Sequence, residues 1–293
     1  MGYRQNRPHG PPTVQKQAMK QTENTAIVLR HANYRDNDRM LTLLSPSRGR
    51  LDVMLRNCRK PKSQFLNAGE LFALGDYLLY ESAGGHLTVT SVNLIETFYP
   101  LRSDYDRLTC GIYLLNLAEA AAEPEQEQQE LFMLLLHTLS RLTFSDQEWK
   151  PLLAGFLLHF SACQGFKPRL NHCVFCGRRI EDGVSAAFDI SEGGLVCPDC
   201  ASDRGTVLLS GFSPTGPAAA RQPYRTNCPP GTAPGTRPML SAAQVRWMRR
   251  ALTVGSASWI NTPEAYAPFS VLRPYVESRL GRRIKSSLLL PKE

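Results

Sequence analysis

No window of this 293-residue chain approaches the roughly 18–20 uncharged apolar residues of a membrane-spanning helix, so no membrane association is expected. The opening MGYRQNRPHGPPTVQKQ has no apolar run, which argues against a secretory signal. It also lacks serine and a clear amphipathic pattern, which argues against a transit peptide. Phosphate-binding loops of the GxxxxGK(S/T) and GxGxxG kinds are missing, as are HExxH and GxSxG. The six histidines are scattered. No catalytic residue is assigned, and the chain is not read as an enzyme. Hydrophobic residues at 42% against 20% charged residues exclude global disorder.

The charge is uneven. Residues 1–62 hold 13 Lys and Arg against 4 Asp and Glu, residues 63–220 hold 9 against 19, and residues 221–293 hold 12 against 3. Two basic ends around an acidic middle, with +8 overall, favour a polyanionic partner, above all nucleic acid.

The length suits two or three linked domains. Residues 1–23 read as a flexible basic tail. Residues 24–100 hold short strands over 25–29, 40–44, 50–56, 77–80 and 87–92, with turns at 45–49 and Gly84-Gly85. In the third, Leu51, Val53 and Leu55 alternate with Arg50, Asp52, Met54 and Arg56, which predicts one apolar and one wet, basic face. Five such strands fit a small closed barrel of the OB-fold kind.

From 101 to 170 the apolar period becomes helical. Ser103-x-x-Asp106 and Ser145-x-x-Glu148 read as capping boxes. Leu108, Ile112, Leu115 and Ala122 share one face. A second stripe runs from Leu131 to Leu142 and a third from Trp149 to Phe160, where Pro151 favours a later start than the box suggests. Gly165 and Pro168 stop the third. Residues 203–240 are a Pro/Gly-rich loop. In 241–293, Ser241-x-x-Gln244 opens a helix with Val245, Met248 and Leu252 inward and Arg246, Arg249 and Arg250 outward, and a last helix ends at Leu280-Gly281. The expected fold class is thus an α+β multidomain protein: an N-terminal OB-fold β-barrel, then an α-helical domain with an inserted four-cysteine zinc-ribbon module at 171–202.

That module rests on Cys173-x-x-Cys176 and Cys197-x-x-Cys200, with twenty residues between the pairs. Each CxxC turn presents two thiolates on one side of a tight loop, and two turns complete a tetrahedral four-sulfur site that suits one structural Zn²⁺. Four protein ligands leave no open position for water. A redox role needs only one pair. Acidic residues outnumber Arg178 and Arg179 in this span, so the module reads as a brace rather than a DNA finger. His172 is placed beside the ligands, not among them. Cys58, Cys110 and Cys163 have no His partner and read as packing residues.

Residues 53–69 contain no acidic residue. Arg48, Arg50, Arg56, Arg59, Lys60 and Lys62 would line one groove on a barrel strand and the loop leaving it, neutralising phosphates without sequence preference. With Arg30, Arg35 and Arg39 they make up the candidate nucleic-acid-binding set. Tyr34, Phe65, Phe72, Tyr77 and Tyr80 are stacking candidates, though aromatics on an apolar strand face are mostly core, and none is singled out. Asp36 and Asp38 are expected to be salt-bridged within the basic loop. Arg273, Arg279, Arg282, Arg283 and Lys285 admit two readings, a second nucleic-acid contact or an exposed helix end whose cations complement the dipole.

Taken together, these motifs resemble the bacterial DNA repair RecO family. The resemblance is carried by Ala26-Ile-Val-Leu-Arg30, Tyr34-Arg-Asp-Asn-Asp-Arg39-Met-Leu-Thr-Leu-Leu44, Arg48-Gly49 and Arg59-Lys-Pro-Lys-Ser63. It continues through Leu101-Arg-Ser-Asp104, Tyr113-Leu-Leu115, Gly165-Phe-Lys-Pro168, Cys173-x-x-Cys176-Gly177 and Tyr275-Val-Glu-Ser-Arg-Leu-Gly281. Arg35-Asp36 stands where the family often has Gly-Glu. The resemblance implies a non-enzymatic recombination mediator, cytoplasmic and nucleoid-associated. Such a protein binds single- and double-stranded DNA, anneals complementary strands, and works with RecR to load RecA on SSB-coated DNA. It also binds the C-terminal tail of SSB and has a functional link to RecF. The competing reading is a zinc-ribbon scaffold for another protein, with DNA binding incidental.

Overall fold

The computed structural model describes residues 21–202, 237–253, 268–281 and 283–291. The tail up to residue 20, the Pro/Gly stretch over 203–236, Cys228 and Arg282 lie outside the described residues.

Five strands close a barrel. They are β1 (Gln21–Tyr34), β2 (Asp38–Ser45), β3 (Gly49–Leu55), β4 (Leu74–Glu81) and β5 (Leu87–Glu96), in the order β1-β2-β3-β5-β4. All neighbours are antiparallel except β3 and β5, whose short parallel pairing at Val53↔Leu87 and Met54↔Thr88 completes the OB-type barrel. The first strand begins at Gln21, inside the stretch read as tail, because Gln21 to Ile27 pair with Tyr80 to Leu74. It then turns a corner at a bulge between Val28 and Arg30 and pairs onward with β2. At the corner Val28 exchanges backbone hydrogen bonds with Phe72 and Ala73. Inside the barrel lie Ala26, Val28, Leu41, Leu43, Leu51, Val53, Leu55, Tyr77 and Leu79. The alternation expected in β3 holds: its leucines and valine point in, and Arg50, Asp52 and Met54 point out.

Two helices pack on the outer wall, α1 (Tyr105–Ala121) and α2 (Gln129–Phe144), and a third, α3 (Trp149–Cys163), packs on them. Neither expected capping box forms in this region. Ser103 falls in a short 3-10 turn over Tyr99–Ser103, and Asp104 caps α1 instead, its carboxylate accepting the Arg107 amide at 3.0 Å. Ser145 ends α2, its hydroxyl donating to the Arg141 carbonyl, and α3 begins at Trp149. Pro151 is harmless in that first turn, where amides have no intrahelical acceptor. Helix α1 is not one-faced either. Leu108 and Ile112 are half-buried, while Tyr113, Leu114, Leu117 and Ala118 are fully buried, because the barrel covers one side and the other helices cover the rest. Gly111 lets it approach closely: a Cβ there would stand 3.0 Å from the Phe72 ring.

A second sheet orders β7 (Gly194–Val196), β6 (Ala186–Asp189) and β8 (Met239–Leu240). A one-turn helix, α4 (Pro198–Ser202), follows β7. Met239 and Leu240 belong to this sheet rather than to the loop assigned to 203–240, since they pair with Ala187 and Ala186. The last helices are α5 (Ala242–Thr253) and α6 (Phe269–Arg279). Here the Ser241–Gln244 box is complete, with Gln244 accepting the Ser241 amide and Ser241 accepting the Gln244 amide. Gly281 follows α6 at φ +63°.

The turn between β2 and β3 is clamped to the α1–α2 connection. Gly49 has φ +63°, and a Cβ on it would lie 2.2 Å from the Glu123 carbonyl oxygen. The Arg50 amide donates to that carbonyl, the Gln128 amide donates to Pro46, and Arg48 makes a two-bond ion pair with Glu125. Gly49→Ala combines a left-handed backbone with a backbone clash. It should lower unfolding free energy by more than about 2 kcal/mol, read by urea denaturation.

Burial lifts the Glu277 carboxyl above its ordinary range, while Ser287 and the Arg273 and Arg283 guanidiniums pull it down less strongly. Folding therefore takes up a proton here. The associated stability is complete below the unfolded carboxyl value, about pH 4.3, and is lost as pH rises through the folded value. Glu277→Gln should raise the melting temperature at pH 7 and flatten its decline above pH 4.3, measured by calorimetry across pH.

Candidate metal centre and nucleic-acid interface

The four paired cysteines converge. Gly177, at φ +71°, donates its amide to the Cys173 carbonyl at 3.0 Å, and the Cys173 amide donates to Arg178 at 2.8 Å, forming the first knuckle. Cys197 leaves β7 and Cys200 lies in α4, where the Ala201 amide reaches the Cys197 carbonyl at 3.0 Å. All four Sγ atoms lie within 4.8 Å of one another, and Cys176 and Cys197 are 3.6 Å apart. A tetrahedron with Zn–S bonds of about 2.3 Å has edges of about 3.8 Å, so the cluster can hold a metal ion and fits zinc. Cys176 is exposed and the other three are buried. Burial raises Cys173, but backbone amides of Cys176, Cys197 and Phe175 outweigh it and bring that thiol down to about 7. Burial pushes Cys197 up to about 11 and Cys200 higher still. Four thiolates at this spacing require a cation between them. His172 is not in the cluster; its backbone forms an isolated antiparallel β-bridge with Arg179 at the module's exposed side.

The module is tied down by arginines. Arg249 does not point outward as its helical position suggests. It donates to the Leu170 and Ile180 carbonyls and pairs with Asp182 at 2.5 Å, anchoring α5 to the first knuckle. Arg237 makes a buried 2.6 Å ion pair with Asp189 and lies over the Phe175 ring. Sequence reading misses both because one lies on an apparent outer face and the other at the end of a Pro/Gly stretch. Arg178 pairs with Asp199 and Arg179 with Glu181, so the module's surface cations are met by acids. This is the pattern of a brace.

The nine candidate cations do not form one groove. Arg48 and Arg50 stand at one end of β3 and Arg56 just beyond the other, some 20 Å apart at strand spacing. Three cations are engaged within the protein: Arg30 with Glu119 at 2.8 Å, Arg39 with Glu70 at 2.7 Å, and Arg48 with Glu125. Arg50 lies at the clamped turn. The remaining five, Arg35, Arg56, Arg59, Lys60 and Lys62, gather where the β1–β2 turn meets the loop after β3. That junction is stitched by the Arg59 amide to the Asn37 carbonyl at 3.1 Å, the Arg59 guanidinium to the Asp36 carbonyl at 3.1 Å, and the Asn57 amide to the Asp38 carboxylate at 2.8 Å. Asp38 thus caps an amide, and neither it nor Asp36 is in an ion pair among the described residues. Among the aromatic candidates, Phe72 and Tyr77 are core and Tyr34 is exposed beside Arg35, whose guanidinium lies 5.2 Å from its ring centre.

Two family models match, described as Recombination protein O N terminal over residues 19–98 and Recombination protein O C terminal over residues 102–226. A DNA repair protein RecO of Anaeromyxobacter dehalogenans is 30% identical over 273 residues, 93% of this chain and 96% of its own length. The chain belongs to the RecO family. RecO proteins of Alkaliphilus metalliredigens and Symbiobacterium thermophilum are 34% and 32% identical over 174 and 187 residues, covering 70% and 73% of their lengths. RecO membership carries a role in DNA repair and recombination, in a mediator family that is not a known catalytic enzyme. Burial raises the Cys58 thiol, and raises Cys110 to about 12 and Cys163 to about 11. No helix among the described residues is long and apolar enough to cross a membrane.

Cys173→Ala with Cys176→Ala should abolish metal retention, read by elemental analysis as a drop from about one ion per chain to none. It should also lower the melting temperature by several degrees, since ligand binding and folding are coupled.

Proposed function

We propose that this chain is a recombination mediator that binds single- and double-stranded DNA through the cationic end of its barrel and anneals complementary strands. It assists loading of RecA on SSB-coated strands with RecR, contacts the SSB C-terminal tail, and has a functional link to RecF, all in the bacterial cytoplasm at the nucleoid. The observation that carries this reading is the grouping of Arg35, Arg56, Arg59, Lys60 and Lys62, none of which is in an ion pair among the described residues. Five unneutralised cations at one barrel end displace counterions from a nucleic-acid backbone. Two strands brought against such a surface repel each other less, and base pairing then supplies the specificity of annealing. Nothing in this scheme needs a nucleophile or a general base.

The four cysteines hold one structural Zn²⁺, whose contribution is to fix the two knuckles against each other. Through Arg249 and Arg237 that rigidity reaches α5 and the second sheet. With all four thiolates as ligands, a bound Zn²⁺ would act as a structural brace.

Reversal of Arg56, Arg59 and Lys60 to Glu leaves both hydrophobic cores untouched, so the variant should fold. Its affinity for single-stranded DNA should fall at least tenfold at low salt. The slope of log affinity against log salt should shrink by about 2, at about 0.7 per phosphate lost. Annealing of complementary oligonucleotides should fall in parallel. A folded triple variant that binds and anneals like the parent would move the assignment to a protein-binding zinc scaffold.

A further inference from the structure

Arg56, Arg59, Lys60 and Lys62 are carried by the connection from β3 to β4, residues 56–73, which contains neither strand nor helix. A connection longer than about 12–15 residues without regular structure has many conformations open to it. This one is folded into successive turns. The Lys60 amide donates to Asn57, Ser63 to Lys60, Ala68 to Phe65 and Ala73 to Glu70, and Cys58 and Phe65 pack against the barrel core. Such turns fix local shape, but not where the connection sits over the barrel.

That position is set from inside the barrel. Directly paired residues of antiparallel strands share a face. His31 of β1 pairs with Leu41, Arg39 of β2 pairs with Leu55, and both leucines lie in the barrel interior, as does Tyr77 of β4. Three strands thus each turn a hydrogen-bond donor inward, and all three donors meet the backbone of the connection. The Tyr77 hydroxyl donates to the Ala68 carbonyl at 2.9 Å. The Gly69 carbonyl accepts from His31 Nδ1 at 2.9 Å and from Arg39 Nη1 at 3.1 Å, and Arg39 also holds Glu70 at 2.7 Å. A carbonyl can only accept, so His31 carries its proton on Nδ1. Ala68 and Gly69 are buried, and a Cβ on Gly69 would stand 2.9 Å from a Leu55 methyl. Sealing a barrel needs only apolar side chains. Three polar groups converging on two adjacent carbonyls fix the connection at one place.

We propose that Tyr77, His31 and Arg39 are positioning residues for nucleic-acid binding: without touching the ligand, they hold the connection in the conformation that presents Arg56, Arg59, Lys60 and Lys62 together. The inference rests on the DNA-binding reading above and deepens it by naming what organises that surface. It also gives Arg39 a role other than phosphate contact, since its guanidinium is committed to Gly69 and Glu70. A connection already held in its bound shape loses little conformational entropy when a strand arrives. A loose one carries the same charge but must be ordered on binding, which weakens affinity.

The test uses the full chain and a labelled oligothymidylate, titrated at several salt concentrations. Tyr77→Phe removes one oxygen, keeps the ring in the barrel core and changes no charge. It should weaken oligothymidylate binding about fivefold, in line with one lost hydrogen bond, and leave the salt slope unchanged because every cation remains. Hydrogen exchange over residues 57–70 should quicken in the free variant, and saturating oligothymidylate should restore the protection seen in the parent. His31→Phe, which leaves Arg39 on the same carbonyl, should shift affinity and exchange in the same direction. A purely structural role would lower the melting temperature and leave the affinity of the folded protein unchanged. Parental affinity in the folded variants, unaltered exchange over 57–70, or a smaller salt slope would overturn the proposal. The Arg56, Arg59 and Lys60 reversal run alongside separates the two readings. If it loses binding while the Tyr77 and His31 variants do not, only the positioning role fails; if it keeps binding, the DNA-binding reading itself fails.

Discussion

Strand β1 is buried from two sides, and the architecture follows from that. Ala26 and Val28 point into the barrel, while Ile27 and Leu29 point out into a second cluster shared with Leu44, Phe72, the three packed helices and the knuckle cysteines Cys173, Cys197 and Cys200. Four consecutive buried residues are unusual in an antiparallel barrel, where one face commonly meets water. Here the outer wall of the barrel is the floor of the helical layer. The corner at Val28 lets the strand meet both partners, Phe72 turns outward beside it at φ +70°, and Gly111 gives the room for α1 to lie on that ring. One continuous apolar cluster therefore runs from the barrel to the metal module, so order at the thiolates and order at the barrel wall are coupled through packing alone.

That coupling decides how charge is distributed. Where barrel and helices meet, cations are matched, Arg30 with Glu119 and Arg48 with Glu125; between α1 and α2, Arg107 donates to the carbonyls of Leu142 and Ser145. The acidic middle of the sequence supplies these partners. Partly exposed ion pairs contribute little stability each, about 0–1 kcal/mol, but they fix register at an interface whose free energy comes from burial. Away from the interface, at the barrel end built by the β1–β2 turn and residues 56–62, five cations outnumber Asp36 and Asp38. The excess positive charge collects there, on a surface held by backbone hydrogen bonds rather than by ion pairs. Such a surface can meet an external polyanion without breaking an internal pair.

Local patterns are legible where one cause acts alone. The alternation in β3 predicts its two faces because Leu51, Val53 and Leu55 are buried in the barrel interior, while Arg50, Asp52 and Met54 face out. The CxxC pairs predict the knuckles because thiolate geometry admits few spacings. The Ser241–Gln244 box is readable because the two residues satisfy each other's amides reciprocally. Ser103 and Ser145 mislead because their neighbours set the boundary: Asp104 is the better acceptor at α1, and Ser145 is drawn back to the Arg141 carbonyl of the preceding helix. The groove expected from Arg48 to Lys62 fails for a different reason. Adjacency in sequence is not adjacency in space, and β3 runs the length of the barrel, sending Arg48 to the helices and Arg56 to the open end. Arg249 shows the limit of helical periodicity, since an outward position on α5 becomes inward once a module packs over it.

The cysteine module is joined to the second sheet on both sides of residues 203–236. The chain leaves α4 at Ser202, two residues beyond Cys200, and is next described at Arg237. On return, Arg237 enters the buried pair with Asp189, Phe188 donates its amide to the Pro238 carbonyl, and Met239–Leu240 completes the sheet on β6. A buried arginine without its acid is strongly unfavourable, so the return point is defined as sharply as the departure point. The cysteine knuckles and the second sheet therefore form one structural unit, although 34 residues separate Ser202 from Arg237 in sequence.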